Sequence, residues 1–323
     1  MRRALACGLF ALVLAIAPAV RAAADTGASA ARAPEAAPAP DRDDAPRAAG
    51  RPRRIVSMNP SLTRILVALG AREALVGVDD FSAREEPAVA SLPRVGGLYS
   101  PSLEAVVALQ PDLAVLGPSP EQRDFRARLE ALGLPVLALD PVRFDEVLDS
   151  IAVLGERVGR QAEARTRVDA IRRTRAAVQS ATADRPRPRV VFVLQREPLF
   201  VVGRGSFLDE MLGLAGAENL GAALGEAWPR GSLEWLVAAA PDVILDSDND
   251  AEPAAEHWAR WSSLPAGRDG RVLAIDEGAV TLPGPELDRA LLLLAGALHG
   301  EALAREVEAQ VAGAPPHPPD GSP

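Results

Sequence analysis

Cysteine is nearly absent: the 323-residue chain has one, Cys7. The rest must fold without a disulfide, which suits a chain long enough to build a sufficient core. Histidine is scarce as well, and His257, His299 and His317 are too scattered to make a zinc or manganese cluster with carboxylates. A basic surface is missing: the formal net charge is -9 and the pI is near 5.1, which excludes a nucleic-acid binder. There is no Gly-x-Ser-x-Gly elbow and no nucleophilic cysteine, and the histidines have no evident catalytic partner. Gly203-Arg204-Gly205-Ser206 could hold an anion on its amides. It lacks the Lys-Ser/Thr of a P-loop and the third glycine of a dinucleotide fingerprint, so it reads as a turn and helix cap. These absences leave a chain with no catalytic residue, no metal site and no resident cofactor.

What is present begins with an address. Arg2 and Arg3 precede an apolar segment from Ala4 to Ala17, Pro18 breaks it, and Ala22-Ala23-Ala24 stand before Asp25, a pattern that predicts a cleavable secretory signal over residues 1–24. The apolar stretch is shorter than the ~18 residues a spanning helix needs, and Cys7 comes too early to be a lipoprotein cysteine. Residues 25–52 are Ala, Pro, Arg and Asp with almost no large apolar side chain, so they predict a disordered tether; residues 313–323 read as a similar tail. Between them, 48% hydrophobic content is enough for two cores, and the length favours about two domains.

A short pattern occurs twice. Residues 102 to 118 read SLEAVVALQPDLAVLGP, and residues 232 to 248 read SLEWLVAAAPDVILDSD. In each copy Ser can cap a helix, a carboxylate (Glu104, Glu234) follows in its first turn, Pro111 or Pro241 ends it, and an apolar run follows that suits a strand buried on both faces. The same alternation predicts strands at 55–58, 75–78, 135–139, 190–194, 200–202 and 271–275. Helices are predicted at 62–69, 121–132, from Ser206, 252–261 and 285–298. A long helical stretch over 144–182, broken at Gly159, lies between the halves. The fold class is therefore α/β, with an N-terminal lobe over 53–142, a helical backbone over 143–184 and a C-terminal lobe over 185–312. About 20 helical residues at ~1.5 Å rise would bridge two lobes as one strut, leaving a ligand cleft between them.

Arg54-Ile-Val-Ser-Met-Asn-Pro-Ser-Leu-Thr, Val76-Gly-Val-Asp-Asp-Phe-Ser, Leu92-Pro-Arg-Val-Gly-Gly, both repeat copies, Trp228-Pro229 and the central helices together resemble one family. It is the class of periplasmic solute-binding proteins of ABC importers that has a helical backbone and carries cobalamin, haem and ferric siderophores. The resemblance covers about Arg53 to His299 and is nearest the cobalamin branch. It implies two Rossmann-like lobes with parallel sheets, a cobalamin or related tetrapyrrole as transported ligand, and a monomer in the periplasm. Its partner would be an ABC permease dimer in the inner membrane. By position it implies Phe81, Phe200 and Trp228 as cleft aromatics, with Tyr99 a substitute for a missing tryptophan. Glu104 and Glu234 would dock to the two permease subunits.

The chain departs from the cobalamin pattern. Ser82-Ala83-Arg84-Glu85-Glu86-Pro87 lacks a second tyrosine often found there. Haem, with Tyr99 as the candidate axial ligand, stays open. So does an anionic ferric siderophore held by Arg84, Arg94, Arg196 or Arg230, whose plainer reading is solvated loop charge. For the aromatics the plainer reading is core packing. A secreted two-lobed α/β glycosyltransferase fits the architecture alone.

Overall fold

The structure, a computed structural model, describes residues 50–248 and 252–313. The expected leader, nearly all of the tether and the tail beyond Gly313 lie outside the described residues. Of the tether, Pro52 is buried, so the folded body begins slightly earlier than expected.

The N-terminal lobe runs β1 (Ile55–Ser57), α1 (Pro60–Ala68), β2 (Leu75–Val78), α2 (Asp80–Glu85), β3 (Gly96–Gly97), β4 (Ser100–Pro101), α3 (Leu103–Ala108), β5 (Leu113–Leu116), α4 (Pro120–Ala131) and β6 (Val136–Ala138). Its sheet is parallel throughout in the order β2-β1-β5-β6, and β3 and β4 form a separate two-stranded hairpin. Two helices follow, α5 (Phe144–Arg157) and α6 (Gln161–Thr182). The C-terminal lobe runs β7 (Arg189–Gln195), β8 (Phe200–Val201), α7 (Phe207–Leu214), β9 (Glu218–Asn219), α8 (Leu233–Ala239), β10 (Val243–Asp246), α9 (Ala254–Trp258), α10 (Pro265–Arg268), β11 (Val272–Ala274), α11 (Glu277–Val280), α12 (Leu287–His299) and α13 (Glu301–Gly313). Here the order is β11-β10-β7, with β9 parallel and β8 antiparallel on the far side of β7.

The repeat builds the same unit in both lobes. Ser102 Oγ accepts from the Ala105 N–H at 3.2 Å and Ser232 Oγ from the Trp235 N–H at 3.1 Å, capping α3 and α8. At the other end Gln110 and Ala240 turn left-handed, with φ of 46° and 45°, a conformation common where a helix ends. The aspartate after each proline then clasps the start of its lobe's first strand. Asp112 accepts from the Arg53 and Arg54 N–H groups at 2.8 and 3.0 Å, and Asp242 accepts from the Arg189 N–H at 2.9 Å. The arginines answer: Arg54 donates to the Leu109 and Gln110 carbonyls, and Arg189 to that of Ala240. Those carbonyls lie at helix C-termini, where no intrahelical donor reaches them.

Each sheet is buried on both faces, with the period of two expected of strands. Ile55, Leu113 and Val115 face one core while Val56, Ala114 and Leu116 face another. Val190 and Phe192 likewise separate from Val191 and Val193. The inner faces of both sheets share a single apolar cluster that runs through Phe144, Ile151, Ile171, Leu291 and Leu294. The strut is thus a packed assembly rather than one helix. Helix α5 folds back on α6 through a turn at Gly159 (φ 67°), so closely that a Cβ on Gly155 would stand 2.3 Å from that of Ala164. Arg64 of α1 also reaches Glu286, at the start of α12, at 2.8 Å. Among the described residues it is the ion pair that joins the two lobes directly.

Three sequence expectations change. Between β2 and α3, where no element was expected, the chain forms α2 and the hairpin. The helix expected over 252–261 shrinks to Ala254–Trp258, and a new helix starts at Pro265 after an extended Leu264. The C-terminal sheet carries one antiparallel strand, β8, where a fully parallel one was expected.

Candidate functional site

In an open parallel sheet, ligands bind beyond the carboxyl ends of the strands where the strand order reverses. In the N-terminal lobe that point lies between β1 and β5. Asn59 follows β1 and caps α1, its Oδ1 accepting from the Leu62 N–H at 3.1 Å. Gln122, in the first turn of α4, donates from Nε2 to the Met58 carbonyl at 3.3 Å and to the Leu98 carbonyl at 3.1 Å, pinning the β3–β4 hairpin to the sheet edge. Gln122 is 2% exposed, and its Oε1 is buried with no hydrogen-bond partner. Such an atom costs about 1–3 kcal/mol of desolvation.

Beside it, after β2, Asp79 caps α2. Its Oδ1 accepts from the Phe81 and Ser82 N–H groups, both at 2.9 Å, and its Oδ2 from the Ser82 hydroxyl. Thr63 Oγ1 lies 2.8 Å from both the Ser57 and Ser82 hydroxyls, which extends the network to the end of β1. Burial pushes the Asp79 carboxyl above the ordinary range, against the pull of these donors.

The corresponding point in the C-terminal lobe lies between β7 and β10, and there the residues are charged. Asp246, fully buried at the end of β10, accepts from Arg196 Nε at 3.0 Å and from the Trp258 indole. Burial raises its carboxyl and these donors lower it. Arg196 also donates from Nη1 to the Glu252 carbonyl at 2.9 Å, while its backbone N–H reaches Asp248 Oδ2 at 2.8 Å. Arg196 Nη2 is buried without a partner. His257 pairs with Glu252 at 2.7 Å and packs against Trp258 and Trp261.

The sequence candidates fall around these edges. Phe81 is half-buried in the first turn of α2, with the Arg84 guanidinium 4.5 Å above its ring. Tyr99 sits in the two-residue turn of the β3–β4 hairpin and is 38% exposed. Phe200 opens β8 and bridges to Arg230, and Trp228 is half-buried against the shared core. Arg94 and Arg230 are exposed. Arg196 is a correction: at 8% exposure and paired with Asp246, it is neither a solvated loop charge nor free to neutralise an anion. Glu104 and Glu234 are exposed in the first turns of α3 and α8. The backbone N–H of Glu234 and the Ser232 hydroxyl hold the Glu234 carboxyl below its usual range.

Asn59, Asp79, Gln122 and Asp246 were not singled out as site residues in the sequence. Their amide and carboxylate roles depend on strands that meet only in the fold. Among the described residues there is no group of three metal-ligating side chains, and no helix is long and apolar enough to cross a membrane. A surface hollow of about 560 Å³ lies at the opposite ends of the C-terminal strands. Its Arg187 and Arg271 are committed to the carbonyls of Ala217 and Leu298.

Two lobes of this construction define the helical-backbone class of two-domain binding proteins, and residues 55–279 match the family described as "Periplasmic binding protein". The chain belongs to that family. It is 31% identical over 245 residues to an uncharacterised ABC transporter substrate-binding lipoprotein, YvrC, of Bacillus subtilis (strain 168), covering 73% of this chain and 76% of that one. It is 29% identical over 318 residues to a cobalamin-binding protein of Halobacterium salinarum, covering 90% and 85%. Among solved structures it superposes on the periplasmic heme-binding protein BhuT in complex with two hemes, with TM-score 0.67 and 27% identity over 79% of this chain and all of that one.

Proposed function

We propose that the protein is an exported solute-binding protein of an ABC importer that carries cobalamin or a related corrinoid to a permease dimer in the inner membrane. The observation that carries this reading is the placement of partly exposed aromatics at both strand edges, Phe81 and Tyr99 on one lobe and Phe200 and Trp228 on the other. Flat apolar faces on two walls suit a large macrocycle. The Halobacterium relative, matched over 90% of the chain, supports the choice of corrinoid. The test is titration of the mature protein with cyanocobalamin, haemin and a ferric siderophore. Micromolar or tighter binding of the corrinoid supports the reading, and its failure beside tight haemin binding overturns it.

Haem is the second reading, favoured by the exposure of Tyr99 at the hairpin tip, because a tyrosinate can ligate ferric iron. Tyr99→Phe would then abolish the haem spectrum and leave a corrinoid titration intact.

Delivery in this reading uses Glu104 and Glu234, exposed at equivalent places in the two lobes, as docking contacts for a two-fold permease. Each carboxylate also complements its own helix dipole by roughly 0.3–1 kcal/mol, which alone would explain it. Rim charges tune association and salt dependence rather than the binding of a ligand held elsewhere. Glu104→Gln combined with Glu234→Gln should leave ligand titration nearly unchanged while binding to the reconstituted importer falls and loses its salt dependence. Intact importer binding would remove both residues from the interface.

A further inference from the structure

The turn that carries Tyr99 is set by a residue that is itself buried. At its base the hairpin is tied by backbone groups, the Val95 N–H donating to the Val78 carbonyl at 3.0 Å and the Ser102 N–H to that of Val95 at 2.8 Å. Its turn is reached by a side chain: Gln122 Nε2 donates to the Leu98 carbonyl at 3.1 Å and to the Met58 carbonyl at 3.3 Å. Met58 is fixed in turn, its N–H donating to the Val115 carbonyl of β5 at 2.8 Å. Gln122 therefore carries the position of the strand ends to the turn. The Leu98–Tyr99 peptide is trans, so a carbonyl held toward Gln122 sends the Tyr99 N–H the opposite way and fixes the plane from which Tyr99 departs. Exposure divides the two residues: Gln122 is 2% exposed and Tyr99 38%. Packing gives no reason for an amide here, because an apolar side chain of the same length would fill the space without leaving Oε1 buried and unpaired. The two bonds made by Nε2 are what the amide supplies.

We propose that Gln122 is a positioning residue for ligand binding, acting through the Leu98 carbonyl to hold Tyr99 where the ligand meets it; this rests on the reading that puts Tyr99 in the site. A hydrogen bond inside the body then controls a contact at its surface. Loss of the Gln122 donor frees the turn while the base of the hairpin stays tied. The ligand must then order the ring itself, and ordering a side chain and its loop on binding lowers affinity. Because the effect travels through Tyr99, it vanishes once the ring is gone. A residue that merely stabilised the lobe would weaken binding with or without the ring.

The experiment titrates the wild type, Gln122→Met, Tyr99→Ala and the double variant with cyanocobalamin and with haemin, and compares them on whichever of the two the wild type binds. Methionine keeps the length of the side chain and removes both hydrogen bonds. Tyr99→Ala and Gln122→Met should each weaken binding by about three- to tenfold, the worth of one aromatic contact. When Tyr99 is already alanine, Gln122→Met should cost less than about twofold more. Tetranitromethane supplies a second reading, because Tyr99 is the single tyrosine of the chain. Saturating ligand should slow its nitration in the wild type, and that protection should shrink in Gln122→Met. Near-ultraviolet circular dichroism checks folding, and Gln122→Asn, whose amide falls one methylene short of the Leu98 carbonyl, serves if the methionine variant does not fold. Equal losses from Gln122→Met with and without the ring, no loss in Gln122→Met, or none in Tyr99→Ala overturns the positioning role and leaves the binding function standing. A wild type that binds neither ligand overturns both.

Discussion

Between β1 and β5 the N-terminal lobe sets two neutral amides, Asn59 and Gln122, whereas between β7 and β10 the C-terminal lobe sets an ion pair, Arg196 and Asp246. Topology is shared at these points; chemistry is not. The neutral pair is held by backbone groups alone, Asn59 Oδ1 by the Leu62 N–H and Gln122 Nε2 by the carbonyls of Met58 and of Leu98 on a two-stranded hairpin. The ionic pair is locked by Trp258, by the Glu252 carbonyl and by Asp248, all in a desolvated setting. One wall can adjust to a ligand while the other keeps its shape.

Truncating the two plugs should expose that difference most strongly. Arg196→Ala strands the buried Asp246 carboxylate and should cost about 3–5 kcal/mol of stability. Gln122→Ala loses two hydrogen bonds but also removes the unpaired Oε1, so its net cost should be about 1 kcal/mol. Urea unfolding of both variants measures this, and equal losses would break the comparison. Next in size is Trp228→Ala, which should weaken ligand binding by one to two powers of ten if its ring contributes about 1.5–3 kcal/mol of buried area. A folded variant with unchanged affinity would assign Trp228 to the core alone.

A smaller effect appears in the pH dependence of the N-terminal lobe. Because burial raises Asp79, the unfolded chain ionises at that residue first, near pH 4. Above that pH the folded state binds the extra proton, so the Asp79 contribution to stability is complete below the unfolded value and lost as pH rises through the folded one. Asp79→Asn removes that loss. The stability of the wild type relative to the variant should decline from pH 4 toward neutrality, and a pH-independent difference would show that Asp79 is not perturbed. Smallest of all should be the change in overall shape on binding. The apolar cluster continuous through α5, α6 and α12 ties the lobes together, so small-angle scattering of apo and bound protein should give nearly the same radius of gyration. A fall of several ångströms would mean that the lobes close.

Much of this architecture was legible in the residues. The SLE and Pro-Asp pattern announced α3, β5, α8 and β10 because capping and buried-strand signals are local. Less legible were the clasps of Arg54 and Arg189, whose partners lie more than fifty residues away. Sequence reading placed Arg196 in a loop as a solvated charge, since nothing near it reveals that Asp246 ends a strand beside it. Gln122 looked like an ordinary helix residue. Its role depends on the Met58 carbonyl at the end of β1 and on a hairpin that periodicity, with only two residues per strand, does not reveal.

The clasps also bear on the order in which the molecule assembles. Arg54 and Asp112 are separated by 58 residues and Arg189 and Asp242 by 53, so each sheet is closed within its own stretch of chain. The direct link between lobes, Arg64 to Glu286, spans 222 residues. At ~0.6 kcal/mol for each doubling of loop length, closing that link first would cost about 1.2 kcal/mol more than closing a lobe. Synthesised from its N-terminus, the chain can therefore complete the first sheet and its clasp while the second is still being made, and the helices α12 and α13 arrive last to join two bodies already formed.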